Sequence, residues 1–301
     1  MHGVWNMRRI VLLVALLAFA GSCNKNREVT NMPEEPSAAE RAVSFVVDEE
    51  VAGLRMQLRE VGPPSAEGAA LAVGGKIYVL GPFGSSTIKR EVFDVAQNKW
   101  AAMANLPTGF NNNIGMRTAV VLNGLIHVVN GHQYYTPYTD HYAFNPGTGG
   151  WSKKASYPIT VGKSCGAVHG GKFYVVGGQN PVNSANTVDS LYIYDPATDK
   201  WTAGASMPTK RADLACAFVA GKLYAVSGYT TTNKPITTVE EYDPKTNKWT
   251  ARAGIPKPVY EVGNAAHEVN GRLVVIGGVN VINKQTNEVQ ISCPGACSLP
   301  A

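Results

Sequence analysis

About every fifty residues the chain repeats one pattern of short apolar runs and polar loops. Each cycle opens with two apolar runs separated by turn residues: "TAVVLNG" leads into "LIHVV", "CGAVHGG" into "KFYVV" and "CAFVAG" into "KLYAV". Runs joined by Asn-Gly, Gly-Gly or Ala-Gly predict a hairpin, because a two-residue turn needs the positive φ that glycine supplies. The second run is almost unbroken Val, Ile, Leu and Tyr, which suits a strand covered on both faces. A polar loop follows, then a third run such as "SLYIYD" or "TVEEYD", then a turn with Asp-Pro or Asn-Pro in three of four copies. The fourth run carries a Trp seven positions after an aromatic: Phe93 and Trp100, Phe144 and Trp151, Tyr194 and Trp201, Tyr242 and Trp249. A Pro seven residues after each Trp (Pro107, Pro158, Pro208, Pro256) ends that strand.

The glycines that open the second runs, Gly75, Gly124, Gly171, Gly221 and Gly271, are spaced by 49, 47, 50 and 50 residues. Such a unit is a four-stranded antiparallel sheet too small to bury a core alone. Radial stacking of copies buries both faces, so the predicted fold is all-β, a β-propeller with the Trp and its aromatic partner packing between blades. The fifth copy has its hairpin, "GRLVVIGG", and a third run, "NEVQIS", but no Trp. The stretch "AVSFVVDEEVAGLRMQLREVGPP" (42–64) is expected to complete that last blade, closing a five-bladed ring between N- and C-terminal strands.

These marks resemble the Kelch repeat: an apolar run, a Gly pair, then a Tyr and a Trp at fixed spacing. Gly177-Gly178, Tyr194 and Trp201 fit throughout, as does Gly277-Gly278, whereas copies one, two and four keep one Gly of the pair, at Gly81, Gly131 and Gly228. The resemblance covers roughly residues 69–294 and speaks to fold more than to function.

The N-terminus reads differently. Arg8 and Arg9 precede eleven apolar residues, Ile10 to Ala20, and then "GSC". That length suits a signal peptide and falls short of a bilayer span. "AGSC" resembles the lipobox of bacterial lipoproteins, which implies lipidation at Cys23. The expected organisation is a signal peptide over 1–22, a polar, Pro-containing tether over 23–40 and a propeller over 41–301. The expected location is the bacterial cell envelope, lipid-anchored at the outer membrane or cell surface, with a secreted or periplasmic form as the alternative. Cys165 and Cys216 sit in apolar runs and read as core residues. Cys293 and Cys297, four apart, are candidates for a disulfide in an oxidising compartment. The net charge of +5 is not gathered into a Lys/Arg block, so no nucleic-acid partner is expected.

Candidate chemistry lies in two loop sets that a propeller brings to one face: those before each first strand and those after each Gly pair. They nominate Arg117, His132, Tyr134, Lys163 and Gln179, and further along Arg211, Tyr229, Tyr260 and Glu261, with Asn111 to Asn113 and Asn180 alongside. Amides, aromatics, a few cations and a carboxylate suit a glycan, and cations near the inner strands suit an acidic protein segment. Two enzyme readings arise from the Kelch resemblance. A sialic acid mutarotase has similar repeats, and Glu261 with Arg211 or Arg117 would be its acid–base pairing. A copper radical oxidase uses two Tyr, two His and a Cys–Tyr crosslink, for which His132 and His141 around Tyr134, Tyr135 and Tyr138 invite comparison. This chain lacks that enzyme's further domains, and no cofactor or metal is expected. The preferred reading is a non-catalytic binding module, with a carbohydrate mutarotase or epimerase as the alternative.

Overall fold

The structure, a computed structural model, describes residues 43–47, 68–80, 90–104, 118–129, 132–133, 136–180, 186–232, 234–260, 266–279 and 289–292. The first sheet contains β1 (Val43–Val47), β2 (Gly68–Val73), β3 (Lys76–Leu80), β4 (Arg90–Asp94) and β5 (Lys99–Ala102). The second contains β6 (Thr118–Leu122) and β7 (Leu125–Val129); after a small ribbon, β8 (His132–Gln133) and β9 (Thr136–Pro137), it ends with β10 (His141–Asn145) and β11 (Gly150–Lys153). The third is β12 (Cys165–His169), β13 (Lys172–Val176), β14 (Leu191–Asp195) and β15 (Lys200–Ala203). The fourth is β16 (Ala215–Val219), β17 (Lys222–Val226), β18 (Val239–Asp243) and β19 (Lys248–Arg252). The fifth has β20 (Ala266–Val269), β21 (Arg272–Ile276) and β22 (Val289–Ser292) among the described residues.

Every predicted hairpin turn has both central residues at positive φ, as the type I′ geometry requires: Gly74-Gly75, Asn123-Gly124, Gly170-Gly171, Ala220-Gly221 and Asn270-Gly271. The opening strand of each hairpin packs on that of the next sheet, from β2 to β6, β12, β16 and β20. There is accordingly no single core. Apolar clusters lie between successive sheets instead: Leu71, Tyr78 and Ile126 between the first two, Val120, Val161 and Phe173 between the next two, then Leu191, Cys216 and Leu223, and then Val226, Val259 and Leu273. Sheets that bury both faces against neighbours in sequence make this an all-β propeller.

The repeated Trp joins neighbouring sheets in a specific way. Its ring lies about 5 Å from the aromatic directly opposite it on the third strand. Its indole N–H then donates to a carbonyl of the preceding sheet's exit segment: Trp151 to Ala104 (3.3 Å), Trp201 to Ala155 (2.9 Å) and Trp249 to Ala205 (2.8 Å). Two of these alanines are held a second time. Ala155 N–H donates to Asp199 Oδ1 and Ala205 N–H to Asn247 Oδ1. Those two acceptors are fixed in turn by the hydroxyls of Tyr194 and Tyr242. The position two before each Trp lies at positive φ in every copy, at Asn98, Gly149, Asp199 and Asn247.

Cross-strand ion pairs repeat as well. Lys76, Lys172 and Lys222 pair with Asp94, Asp195 and Asp243, and the second copy lacks both members, having Leu125 and Asn145. Such exposed pairs contribute little individually.

Two sequence expectations change. Val43–Val47 does not join the last sheet but runs parallel to β2, in register from Val43 opposite Gly68 to Val47 opposite Ala72. The remainder of the 42–64 stretch lies outside the described residues. Cys165 and Cys216 are buried, as a core role requires, but they also form a disulfide with Cα atoms 5.8 Å apart. It ties β12 to β16 across the third and fourth sheets. Cys23, Cys293 and Cys297 lie outside the described residues.

Candidate functional site

Short bridges bring the two loop sets together. Gly162 pairs with Gln179, Ala212 with Tyr229 and Tyr260 with Val279, so each segment entering a first strand is held against the segment leaving the second. The Gly pair makes room for this. A Cβ on Gly177 would meet the Arg211 carbonyl at 2.7 Å, and one on Gly228 the Ala212 carbonyl at 2.5 Å. Where the fourth sheet has Ser227 in place of the first Gly, its hydroxyl compensates, accepting the Val259 N–H (2.8 Å) and reaching the carbonyls of Ile236 and Val259.

On this frame four of the nominated residues converge. Lys163 Nζ lies 3.0 Å from Asp213 Oδ2, with both side chains mostly buried (16% and 12% exposed). The Asp213 N–H also donates to the Lys163 carbonyl (2.9 Å). The ammonium sits 5.2 Å from the centre of the Tyr229 ring. The Tyr229 hydroxyl donates to Gln179 Oε1 (3.0 Å), and Tyr260 packs edge-on against Tyr229 with centroids 5.9 Å apart. Three sheets thus contribute to one cluster: the third with Lys163 and Gln179, the fourth with Asp213 and Tyr229, the fifth with Tyr260. Burial works against the Lys163 charge, but the Asp213 carboxylate and Tyr229 outweigh it and hold the ammonium above its ordinary pKa.

Asp213 was not among the nominated residues. Its signal was available, because it stands eight residues before its hairpin glycine, as Lys163 does. Both positions have positive φ, +58° and +49°.

Arg211 is placed differently from the sequence expectation. Its side chain is fully buried rather than facing a ligand, with Nη1 3.1 Å from Glu240 Oε2 and Nη2 donating to the Ala225 carbonyl. Thr209 donates to the other Glu240 oxygen (2.7 Å). Burial pulls the guanidinium down to about 10, partly offset by Glu240. Arg211 does not share its place in the repeat with Lys163: Arg211 corresponds to Val161, while Asp213 corresponds to Lys163. Asn180 pairs through its backbone with Asn186. The backbone of His132 lies in β8. Arg117, Tyr134, Glu261 and Asn111 to Asn113 lie outside the described residues.

The comparison with a copper site fares no better at its second histidine. His141 is buried between sheets, its Nε2 2.9 Å from Nδ1 of His127, with His141 Nδ1 facing the Ala155 carbonyl. Desolvation pushes the pair down to about 3 and about 4, so both rings are neutral at ordinary pH. Among the described residues no group of three or more His, Cys, Asp or Glu could hold a metal ion.

Comparison with known proteins places these repeats. Residues 164–208 and 210–253 each match the Kelch motif, one match per sheet from inner strand to exit segment. Kelch-like protein 23 of Homo sapiens is 31% identical over 118 residues, and that of Mus musculus 30% over the same length; each alignment covers 38% of this chain. The chain matches only a fifth of the length of these curated relatives. Among solved structures, YjhT superposes with a TM-score of 0.65 at 15% identity, covering 78% of this chain and 83% of that one. That likeness concerns the fold.

Proposed function

We propose that this Kelch propeller is a non-catalytic, envelope-anchored binding module, and that its loop face over the third to fifth sheets takes a glycan or a protein segment. The observation that carries the reading is the Lys163–Asp213–Tyr229–Gln179 cluster, assembled from two sheets and flanked by Tyr260 from a third. It presents donors, acceptors and ring surface in a fixed arrangement. Its cation is held protonated and so is unsuited to accept a proton. The Cys165–Cys216 disulfide supports maturation in an oxidising compartment, in keeping with a signal peptide over 1–22 followed by a lipidated Cys23. In the mutarotase alternative Glu261 would work with Arg117, since Arg211 is occupied by Glu240.

The test is thermal unfolding of the protein against a panel of neutral sugars, sialic acids and acidic peptides. A ligand of the native state raises the melting temperature with its occupancy. The binding-module reading expects a shift from at least one panel member, abolished by Tyr260→Ala, and no acceleration of anomer exchange by NMR. Accelerated exchange of a bound sugar would replace it with the mutarotase reading. Shifts that survive Tyr260→Ala would move the site elsewhere.

A further inference from the structure

We infer that the ligand of this face is a neutral pyranose, held through two adjacent hydroxyls by Lys163 and Asp213. The inference rests on the binding-module reading and narrows it to one chemical class. Both described cations nominated for anion recognition already have carboxylate partners. Lys163 has Asp213 at 3.0 Å, and Arg211 has Glu240 at 3.1 Å inside the protein. An incoming carboxylate would meet Asp213 as a like charge and would have to displace it from Lys163, whereas a neutral ligand faces no such competition.

The pair offers what a vicinal diol needs. An ammonium carries three donors and a carboxylate about four acceptor sites, more than their mutual contact uses, so the two groups together match the acceptor and the donor of a diol. One hydroxyl can accept from Lys163 Nζ while its neighbour on the ring donates to Asp213. The two side chains are partly open to solvent and are fixed from both sides. The Asp213 N–H holds the Lys163 backbone, and Tyr229 underlies the ammonium. A group already fixed in place loses little conformational freedom on binding. Half-buried Tyr260, set edge-on to Tyr229, adds ring surface beside the pair. Buried Gln179 accepts from the Tyr229 hydroxyl and so fixes that ring behind the ammonium.

The discriminating experiment is calorimetric titration of the full chain with methyl β-D-glucopyranoside and with methyl β-D-glucuronide, which has the same ring with a carboxylate. Each is run at low and high sodium chloride. The inference expects the neutral glycoside to bind at least as well as the charged one, with an affinity that changes less than about twofold with salt, since no net charge is neutralised. Lys163→Met and Asp213→Asn should each weaken binding by about tenfold or more, as loss of a charge-assisted hydrogen bond does. Melting temperatures of the variants establish that they are folded, and the salt dependence of the wild type needs no variant. Preference for the glucuronide, falling steeply with salt and lost in Lys163→Met, overturns the neutral class while keeping the binding face. Failure of both glycosides overturns the pyranose inference, and the wider panel then decides separately whether the face binds at all.

Discussion

Two neighbouring interfaces of this propeller are built on the same backbone plan with different chemistry. Between the second and third sheets, Val161 and Tyr192 occupy corresponding sites beside Tyr157, and the His127–His141 pair lies neutral among Phe173, Tyr194 and Trp201. Between the third and fourth sheets the matching sites hold Arg211 and Glu240, beside the Cys165–Cys216 disulfide. The difference teaches that a repeat fixes the shape of an interface without fixing what fills it. Each filling brings its own vulnerability: the first interface to acid, the second to reductant and to loss of one charge.

The largest expected effect comes from Glu240→Ala, which strands the buried Arg211 charge and should cost roughly 3–5 kcal/mol. Transplanting the neighbouring solution, Arg211→Val with Glu240→Tyr, should recover most of that loss, because a buried ion pair rarely outperforms good apolar packing. Among the described residues the Arg211 Nε atom has no hydrogen-bond partner, which leaves the native pair incompletely compensated. Denaturant midpoints of the single and double variants give both numbers.

Next is the disulfide, which closes a separation of 51 residues. Cys216→Ser, or reduction of the wild type, should lower stability by about 3 kcal/mol. The reductant effect should vanish in the variant.

Acid should act on the other interface. His127 and His141 titrate at about 4 and about 3 when folded, below their usual 6.5. Between those values the unfolded chain binds more protons than the folded one, so stability falls as pH drops below 6.5. For the pair the loss should reach roughly 3 kcal/mol between pH 7.5 and 5.5. Substituting His127 by Gln should flatten the dependence, as read from melting temperature against pH. The smallest effect is Tyr194→Phe, which removes the hydroxyl bond to Asp199 and should cost about 1 kcal/mol, leaving Trp201 packed as before.

Much of this was legible in the sequence. The hairpin turns, the Trp with its aromatic partner and the phase of the repeats follow from spacing and turn chemistry, both local properties. The disulfide was not read, because burial is all that an apolar run reveals about a cysteine. Its clue is finer: Cys165 stands six residues before its hairpin glycine and Cys216 five. Strand side chains alternate, so this offset of one turns the two thiols toward each other across facing sheets. Arg211 was misread for a related reason. Its count matches Val161, a buried position, whereas Lys163 and Asp213 share the position that reaches the loop face. Composition marked all three as charged, and only phase separates them. The place of Val43–Val47 beside β2 depends on a non-local parallel pairing that no turn encodes.

The most direct measurement is amide hydrogen exchange on the full chain, with and without saturating methyl β-D-glucopyranoside. The account predicts slowed exchange confined to the segments around Lys163, Gln179, Asp213 and Tyr229, and no protection in Asp213→Asn. Protection at the hairpin-turn ends of the sheets, or none at the loop face, would contradict it.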